Sequence, residues 1–432
     1  MTIVVLQLLF ACFFYLFPAF AWSQNLTFLE GLINDLTTLG FGNFSQILIQ
    51  INGTEVGNAV LGELGNGNHT IFVPSNQAFA TFNTTNATEA GDPNTLANII
   101  AYHVLPGDFF QPNATSPTGG NATTNATLIS ATFPNVTIGR TLLNNSSFVQ
   151  LEGNKSQVLA WTIFPNETTP TILNQNATQP NITVFNQTTF ENLLLAFVTG
   201  VITPPQNLTT VLAANNLTTI EGLLSVVNAS ETEVDPGTNA TLLSFLSAQQ
   251  GFTAFFPNNE GFSAANLSIL QNTTPENIGI ILRNHLINDT TAYSPILLNS
   301  SITQISASGE PFTFVSNSSG NFVTVGFPST IGPNFNSSAT AQIIQSDVLV
   351  SNGVVHIIDR PLILTANDPE AASVGFLSAS SAATVSTSAT GPIGGVVTAI
   401  STISSNSTTS ASNVASSSSA SFVTITSVVP GR

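Results

Sequence analysis

The chain has 432 residues, 42% hydrophobic and only 6% charged, with five basic against 22 acidic side chains and a formal net charge of -17. Charge this sparse excludes a nucleic-acid surface, because phosphate contacts need clustered Lys and Arg and Lys155 is the only lysine. The acidic balance also argues against docking on an anionic membrane.

Residues 1–21 read as a secretory signal: an apolar run from Ile3 to Phe17, then Pro18 and the small-residue cleavage motif Ala19-Phe20-Ala21. Cys12, the single cysteine, would leave with it, so a mature chain in an oxidising compartment depends on its core rather than on disulfides. Asn-x-Ser/Thr sequons take in 28 of the 46 asparagines, beyond what an Asn/Thr-rich composition alone produces. Heavy N-glycosylation is expected, with Asn25, Asn43, Asn52, Asn113, Asn121, Asn125, Asn207, Asn216, Asn299 and Asn336 as candidates.

The spacing of Leu26, Leu29, Leu32, Ile33, Leu36 and Leu39 predicts an amphipathic helix stopped by Gly40, and a second helix over Phe44 to Ile51. Thr70 to Val73 reads as a strand running into Pro74, with Ser75 or Asn76 capping the turn. Leu96 to Leu105 is helical in pattern, residues 111–127 read as an exposed insertion, and β-branched residues from Leu128 to Val184 predict strands. An apolar run, Leu193 to Ile202, leads to Pro204-Pro205, the predicted boundary.

The plan then repeats. Helical patterns cover Leu208 to Leu224 and Leu242 to Ala248, and Thr253 to Phe262 restates the strand-into-proline motif. Pro257 follows Pro74 by 183 residues and His285 follows His103 by 182, which marks a tandem repeat. Strands are predicted at Ile302 to Ile305, Phe312 to Val315, Phe322 to Val325 and Ala341 to Ile344. They lead into a hairpin, Val348 to Val350 and Val354 to Ile358, turning at Asn352 and Gly353. The organisation is therefore a signal (1–21), two domains (22–205 and 206–366) and a Ser/Thr/Ala-rich stalk (367–432) too poor in large apolar residues to order itself. Its last apolar stretch, Phe422 to Val429, is too short to span a bilayer and gives a glycolipid anchor little support.

These residues resemble the fasciclin domain, an extracellular module usually present in tandem. The family's first box resembles Thr-x-Phe-x-Pro-x-Asn-x-x-Phe, matched by Thr70, Phe72, Pro74, Asn76 and Phe79 and again by Thr253, Phe255, Pro257, Asn259 and Phe262. Its Tyr-His element is matched by Tyr102-His103, and in the second copy by His285 alone, after Asn284; Tyr293-Ser294 also fits. The second box is matched by Asp347, Asn352, Gly353, His356 and Asp359. In the first copy Asn192 falls on Asn352, but Leu193, Ala196 and Thr199 replace Gly353, His356 and Asp359. The resemblance implies an α+β fold for each copy, a wedge of strands flanked by helices, and an adhesive role.

Candidate chemistry is thin. His103 and His285 read as hydrogen-bonded core histidines. The odd spacing from His356 to Asp359 puts the two on opposite strand faces, against an acid–base pair. Glu231, Glu233 and Asp235 sit in a polar turn and read as solvated rather than as a glycosidase pair. Asp347 and Asp359 read as satisfying backbone donors at the hairpin ends, Asn76 and Asn259 as turn caps, and Arg283 and Arg360 as partners of acidic neighbours. No cofactor or metal is expected. The expected function is a secreted, glycosylated, non-enzymatic protein of the cell surface, cell wall or matrix mediating adhesion, with cell-surface or matrix proteins or wall polysaccharide as partners. Exposed loops around the first box and the Tyr102-His103 helix are the expected contact surface. A structural wall or vacuolar-surface glycoprotein without specific adhesion is the alternative, and a secreted hydrolase a third.

Overall fold

The computed structural model describes residues 27–85, 91–112, 126–175, 181–229, 240–264, 273–298, 303–327, 338–383 and 391–394. The first repeat opens with three helices, α1 (residues 27–38), α2 (Gly42–Ile51) and α3 (Glu55–Glu63). Leu32, Leu36, Phe44, Leu48 and Ile51 form their buried stripe. Helix α3 has no predicted counterpart: it carries few large apolar residues, and starts where Thr54 accepts a hydrogen bond from the Gly57 N–H at 2.9 Å.

Strand β1 (His69–Pro74) follows, then helices α4 (Asn76–Thr85) and α5 (Pro93–Tyr102) and strand β2 (Val104–Pro106). The helix predicted over Leu96 to Leu105 thus ends three residues early. The last residues turn into β2 because β1 offers an antiparallel edge, with Ile71 opposite Val104. Strands β3 (Phe110–Pro112) and β4 (Ala126–Leu128) pair with each other, so both ends of the predicted loop insertion are a hairpin base. Next come β5 (Thr137–Arg140), β6 (Val158–Thr162) and β7 (Thr171–Ile172), a three-stranded sheet, then β8 (Val184–Phe190) and β9 (Leu193–Val198). The main sheet has the order β2-β1-β9-β8, with β1 and β9 parallel.

The second repeat runs α6 (Leu208–Ala214), α7 (Thr218–Val226), α8 (Leu242–Ala248), β10 (Phe252–Pro257), α9 (Asn259–Ala264), α10 (Pro275–Arg283), β11 (Leu286–Asn288) and α11 (Ser294–Leu297). The single helix expected over Leu208 to Leu224 is two, broken where Asn216 adopts φ 55°. Strands β12 (Gln304–Ile305), β13 (Pro311–Asn317), β14 (Gly320–Gly326), β15 (Ser338–Val350) and β16 (Gly353–Ile358) complete a seven-stranded sheet ordered β11-β10-β16-β15-β14-β13-β12. Its β10 and β16 are parallel, as β1 and β9 are. The fold is α+β in both repeats, which share one compact unit.

The tail departs from the expected stalk in its first part. Residues Pro369–Ala383 form helix α12, started by Pro369 and by the Asp368 carboxylate accepting the Ala371 N–H at 3.0 Å. Its small residues let it lie close: Gly375 faces Ile305, and Ser380 donates to the Asp289 carboxylate. Beyond it, the Ile393 N–H reaches the Ile138 carbonyl at 2.8 Å. The predicted signal with Cys12 and most of the tail, including its last apolar stretch, lie outside the described residues. Among the described residues no helix is long and apolar enough to cross a membrane.

Candidate functional site

The first box forms the central strand of each repeat. Thr70, Phe72, Thr253 and Phe255 are fully buried, as are Pro74 and Pro257, and Phe79 and Phe262 pack into the core behind them. The asparagines do not cap their own turns. Asn76 accepts the Asn43 N–H at 3.0 Å and donates to the Gly40 carbonyl at 2.8 Å, and Asn259 accepts the Thr219 N–H at 3.1 Å. Each therefore pins its helix to the start of an earlier one. The capping falls to the preceding residue, Ser75 accepting the Ala78 N–H at 3.1 Å and Asn258 the Gly261 N–H at 2.7 Å.

The helical histidines act as clasps. His103 Nδ1–H donates to the Ile99 carbonyl at 2.7 Å, and its Nε2 accepts the Ile202 N–H at 3.0 Å. His285 repeats the arrangement with Ile281 at 2.7 Å and Leu362 at 2.8 Å. Each ring thus ties the end of a helix to the chain leaving the sheet, and each must be neutral, since Nε2 is an acceptor. Burial drives both pKa values down to about 4. Tyr102, also fully buried, donates to the Val158 carbonyl at 2.9 Å, and burial raises its pKa. From Leu96 to His103 this helix therefore presents no contact surface, and only its first turn, with Asn94, is exposed. The rest is enclosed because every residue from Leu96 to Tyr102 is buried.

The second box is a buried polar lattice. His356 stacks on Phe255 with centroids 5.3 Å apart, donates from Nε2 to the Ala292 carbonyl at 3.0 Å and accepts the Asp347 N–H at Nδ1 at 3.3 Å. Burial lowers its pKa, partly opposed by the Asp347 carboxylate. Asp347 has φ 58° and receives the Ser294 N–H at 2.7 Å and the Ser294 hydroxyl. Asp359 lies apart from His356. Although partial burial works the other way, hydrogen bonds from Arg360 and from the Gln342 N–H hold its carboxyl below the usual range. No acid–base pair forms. Arg360 has its predicted acidic partner, Asp359, at 2.7 Å; Arg283 has none among the described residues.

The turn of this hairpin is Ser351-Asn352, since Val350 pairs with Gly353. Neither Asn352 nor Gly353 has positive φ. Gly353 is required for a different reason: a Cβ there would stand 2.6 Å from the Phe252 carbonyl oxygen. Asn352 donates to the Leu246 and Gln249 carbonyls at 2.8 and 3.0 Å, fastening the turn to the end of α8.

The two copies can be compared through the register. Phe72 lies beside Ala196 in the first as Phe255 lies beside His356 in the second. Where the histidine ring is missing, Trp161 packs against Phe72 at 5.7 Å. Asn192 keeps the turn role, donating to the Leu64 and Gly67 carbonyls.

The second box also docks the first repeat, through residues that the sequence did not flag. Asn174 Nδ2 donates to the Asp347 carbonyl at 2.8 Å while its Oδ1 accepts the Leu349 N–H at 3.3 Å. Gln157 donates to the Val350 carbonyl at 3.1 Å, and the Gln150 N–H to the Ser351 carbonyl at 2.9 Å. Buried Glu152 accepts the Thr291 hydroxyl at 2.6 Å and pairs with Lys155 at 2.9 Å. Ile138, Val158, Tyr293, Leu349 and Val354 form the apolar part of the seam. The Glu152/Lys155 spacing was the one readable signal; isolated amides in loops carry none.

Of the sequon asparagines, Asn43, Asn52, Asn207 and Asn216 are exposed; Asn25, Asn113, Asn121, Asn125, Asn299 and Asn336 lie outside the described residues, as do Glu231, Glu233 and Asp235. A small apolar pocket sits among Ile220, Leu223, Phe262, Ile278 and Pro361, at the back of the His285 clasp. Among the described residues no group of three His, Cys, Asp or Glu side chains could hold a metal ion.

The Fasciclin domain family model matches residues 43–163 and 228–364, more than half of the chain. A fasciclin-like arabinogalactan protein of Arthroderma benhamiae is 26% identical over 204 residues, which is 47% of this chain and 39% of that relative. The match thus spans well under half of the relative's length. Among solved structures, a FAS1 domain pair from the insect cell adhesion molecule fasciclin I aligns with 74% of this chain and 96% of its own, at 15% identity and a TM-score of 0.30.

Proposed function

The chain belongs to the fasciclin domain family, and from that premise we propose that it is a secreted, N-glycosylated, non-enzymatic protein of the cell surface, wall or matrix that mediates adhesion through its tandem repeats. The observation that carries the non-enzymatic part is positive. Both ring nitrogens of His103, His285 and His356 are engaged with backbone groups inside the core, so none can exchange a proton with a substrate. The motif residues build a scaffold, and recognition falls to exposed loops and strand faces. The fungal relative's description as a fasciclin-like arabinogalactan protein supports a surface or wall setting. Cell-surface or matrix proteins, or wall polysaccharide, are the partners this reading names.

The test uses the full chain secreted from a eukaryotic host, coupled to beads and offered to cells and to pelleted wall polysaccharide, before and after enzymatic deglycosylation. Saturable binding to one of these surfaces is expected. Absence of saturable binding to all of them, in both forms, would leave a structural spacer glycoprotein as the better reading.

A further inference from the structure

The outer face of the β13–β15 ribbon bears an apolar patch beside a sequon at the hairpin tip. Strand pairing lays this face out in rows. Thr313, Thr324 and Thr340 lie side by side, and Val315, Phe322 and Gln342 form the next row. The last row is Asn317 and Gly320, with Ile344 beside Gly320 by continuation of the register. Val315 is 47% exposed and Ile344 45% exposed, and Phe322 is half-buried between them. No side chain in these rows is charged.

Asn317-Ser318-Ser319 is a sequon, and Asn317 is exposed. Its Oδ1 accepts the Ser319 N–H at 2.8 Å, which fixes the carboxamide and identifies Nδ2 as the nitrogen. Among the described residues nothing bonds Nδ2. Opposite it stands Gly320, at φ 133°, which has no side chain of its own and is covered by the Gln342 carboxamide, donating to the Ser319 carbonyl at 3.1 Å. Neighbouring strands are about 4.8 Å apart, so a sugar ring on Asn317 reaches Val315, two residues along its own strand, and Phe322 beside it on the next, with the Gln342 carboxamide as the far edge of the site.

We propose that Asn317 is an N-glycosylation site whose first sugars pack over Phe322 and Val315, making the glycan a structural cover for this part of the face. The proposal rests on the secretion proposed above. In the attachment step Nδ2 gives up one proton and bonds to the anomeric carbon of a lipid-linked oligosaccharide. The bond from that carbon to the lipid diphosphate breaks, and the diphosphate leaves with the electron pair. The apolar face of a pyranose ring then replaces water over a patch that is otherwise costly to expose.

The test expresses the full chain in a eukaryotic secretory host and maps occupied sequons by glycopeptide mass spectrometry. Asn317 is expected to be occupied. If exposed Asn52, Asn207 or Asn216 carries glycan and Asn317 does not, the site is overturned while secretion stands; if no sequon anywhere is modified, both readings fall. The packing is read separately from denaturation midpoints. Ser319→Ala removes the sequon but keeps the Asn317 side chain and its backbone hydrogen bond. It is expected to lower the folded-to-unfolded ratio roughly fivefold, the effect of covering a few tens of Å² of apolar surface. In a Phe322→Thr or Val315→Thr background the same change is expected to have much less effect. Equal losses in all backgrounds would overturn the packing.

Discussion

Replacing His103 with Gln should remove a specific part of the protein's acid sensitivity. The neutral imidazole is held between the Ile99 carbonyl and the Ile202 N–H, and burial drives its pKa down from the ordinary 6.5 to about 4. The native state therefore binds fewer protons than the unfolded chain between those two values. Stability from the neutral ring is complete above about pH 6.5 and declines as pH falls toward 4. A shift of this size is worth about 3 kcal/mol in full, of which about 2 kcal/mol is lost between pH 7 and pH 5. Against a total of roughly 5–15 kcal/mol for a folded domain, that is a large fraction. The assay is urea unfolding at pH 7 and pH 5, followed by fluorescence of buried Trp161 in the same repeat. The wild type should lose about 2 kcal/mol more between the two pH values than His103→Gln does. Carboxylates titrate in both proteins and cancel in the difference. The loss at pH 7 from an unpaired Ile202 N–H, about 1–3 kcal/mol, is a separate quantity. An identical pH 7 to pH 5 loss in both proteins would refute the reasoning.

Asn352→Ala should cost about 2–3 kcal/mol, because it strips the carbonyls of Leu246 and Gln249 of a buried donor; a loss below about 0.5 kcal/mol in chemical denaturation would contradict that role. Gly353→Ala should cost more than about 2 kcal/mol through collision with the Phe252 carbonyl, whereas Gly62→Ala in α3, with open space around it, should be neutral or stabilising by up to about 1 kcal/mol. Combined Asn174→Ala and Gln157→Ala should uncouple the repeats, so that a single calorimetric transition becomes two; one unchanged transition would show that the amides do not carry the coupling.

The parts of this architecture that were legible in the sequence are those where local and global preferences agree. The strand-into-proline motif occurs twice and gives the central strand twice, and the Leu/Ile spacing gives α1 and α2. The first copy's departure at Ala196 could be read from alignment, but its compensation by Trp161, 35 residues earlier, could not, because ring packing across a sheet leaves no periodic trace. Helix boundaries failed where tertiary pairing outweighed pattern, as when β1 drew Val104 out of the helix. The roles of Asn76 and Gly353 were misread for a related reason: each was assigned to its own turn, while the structure uses each against a distant segment. The seam was nearly invisible, since beyond the Glu152/Lys155 spacing its polar contacts come from single amides in loops and its apolar residues follow the ordinary strand pattern.

The parallel pairing at the centre of each repeat has a mechanical consequence. The chain enters each core at the start of β1 or β10 and leaves by β9 or β16, its immediate neighbour. Once the flanking helices have peeled away, tension on the two ends drags the paired strands in opposite directions along their length. The six residue pairs of the first repeat, or the five of the second, are then loaded together in shear instead of being unzipped one by one. A protein tethered between two surfaces would resist separation through these ladders, and single-molecule stretching would register each repeat as one abrupt rupture.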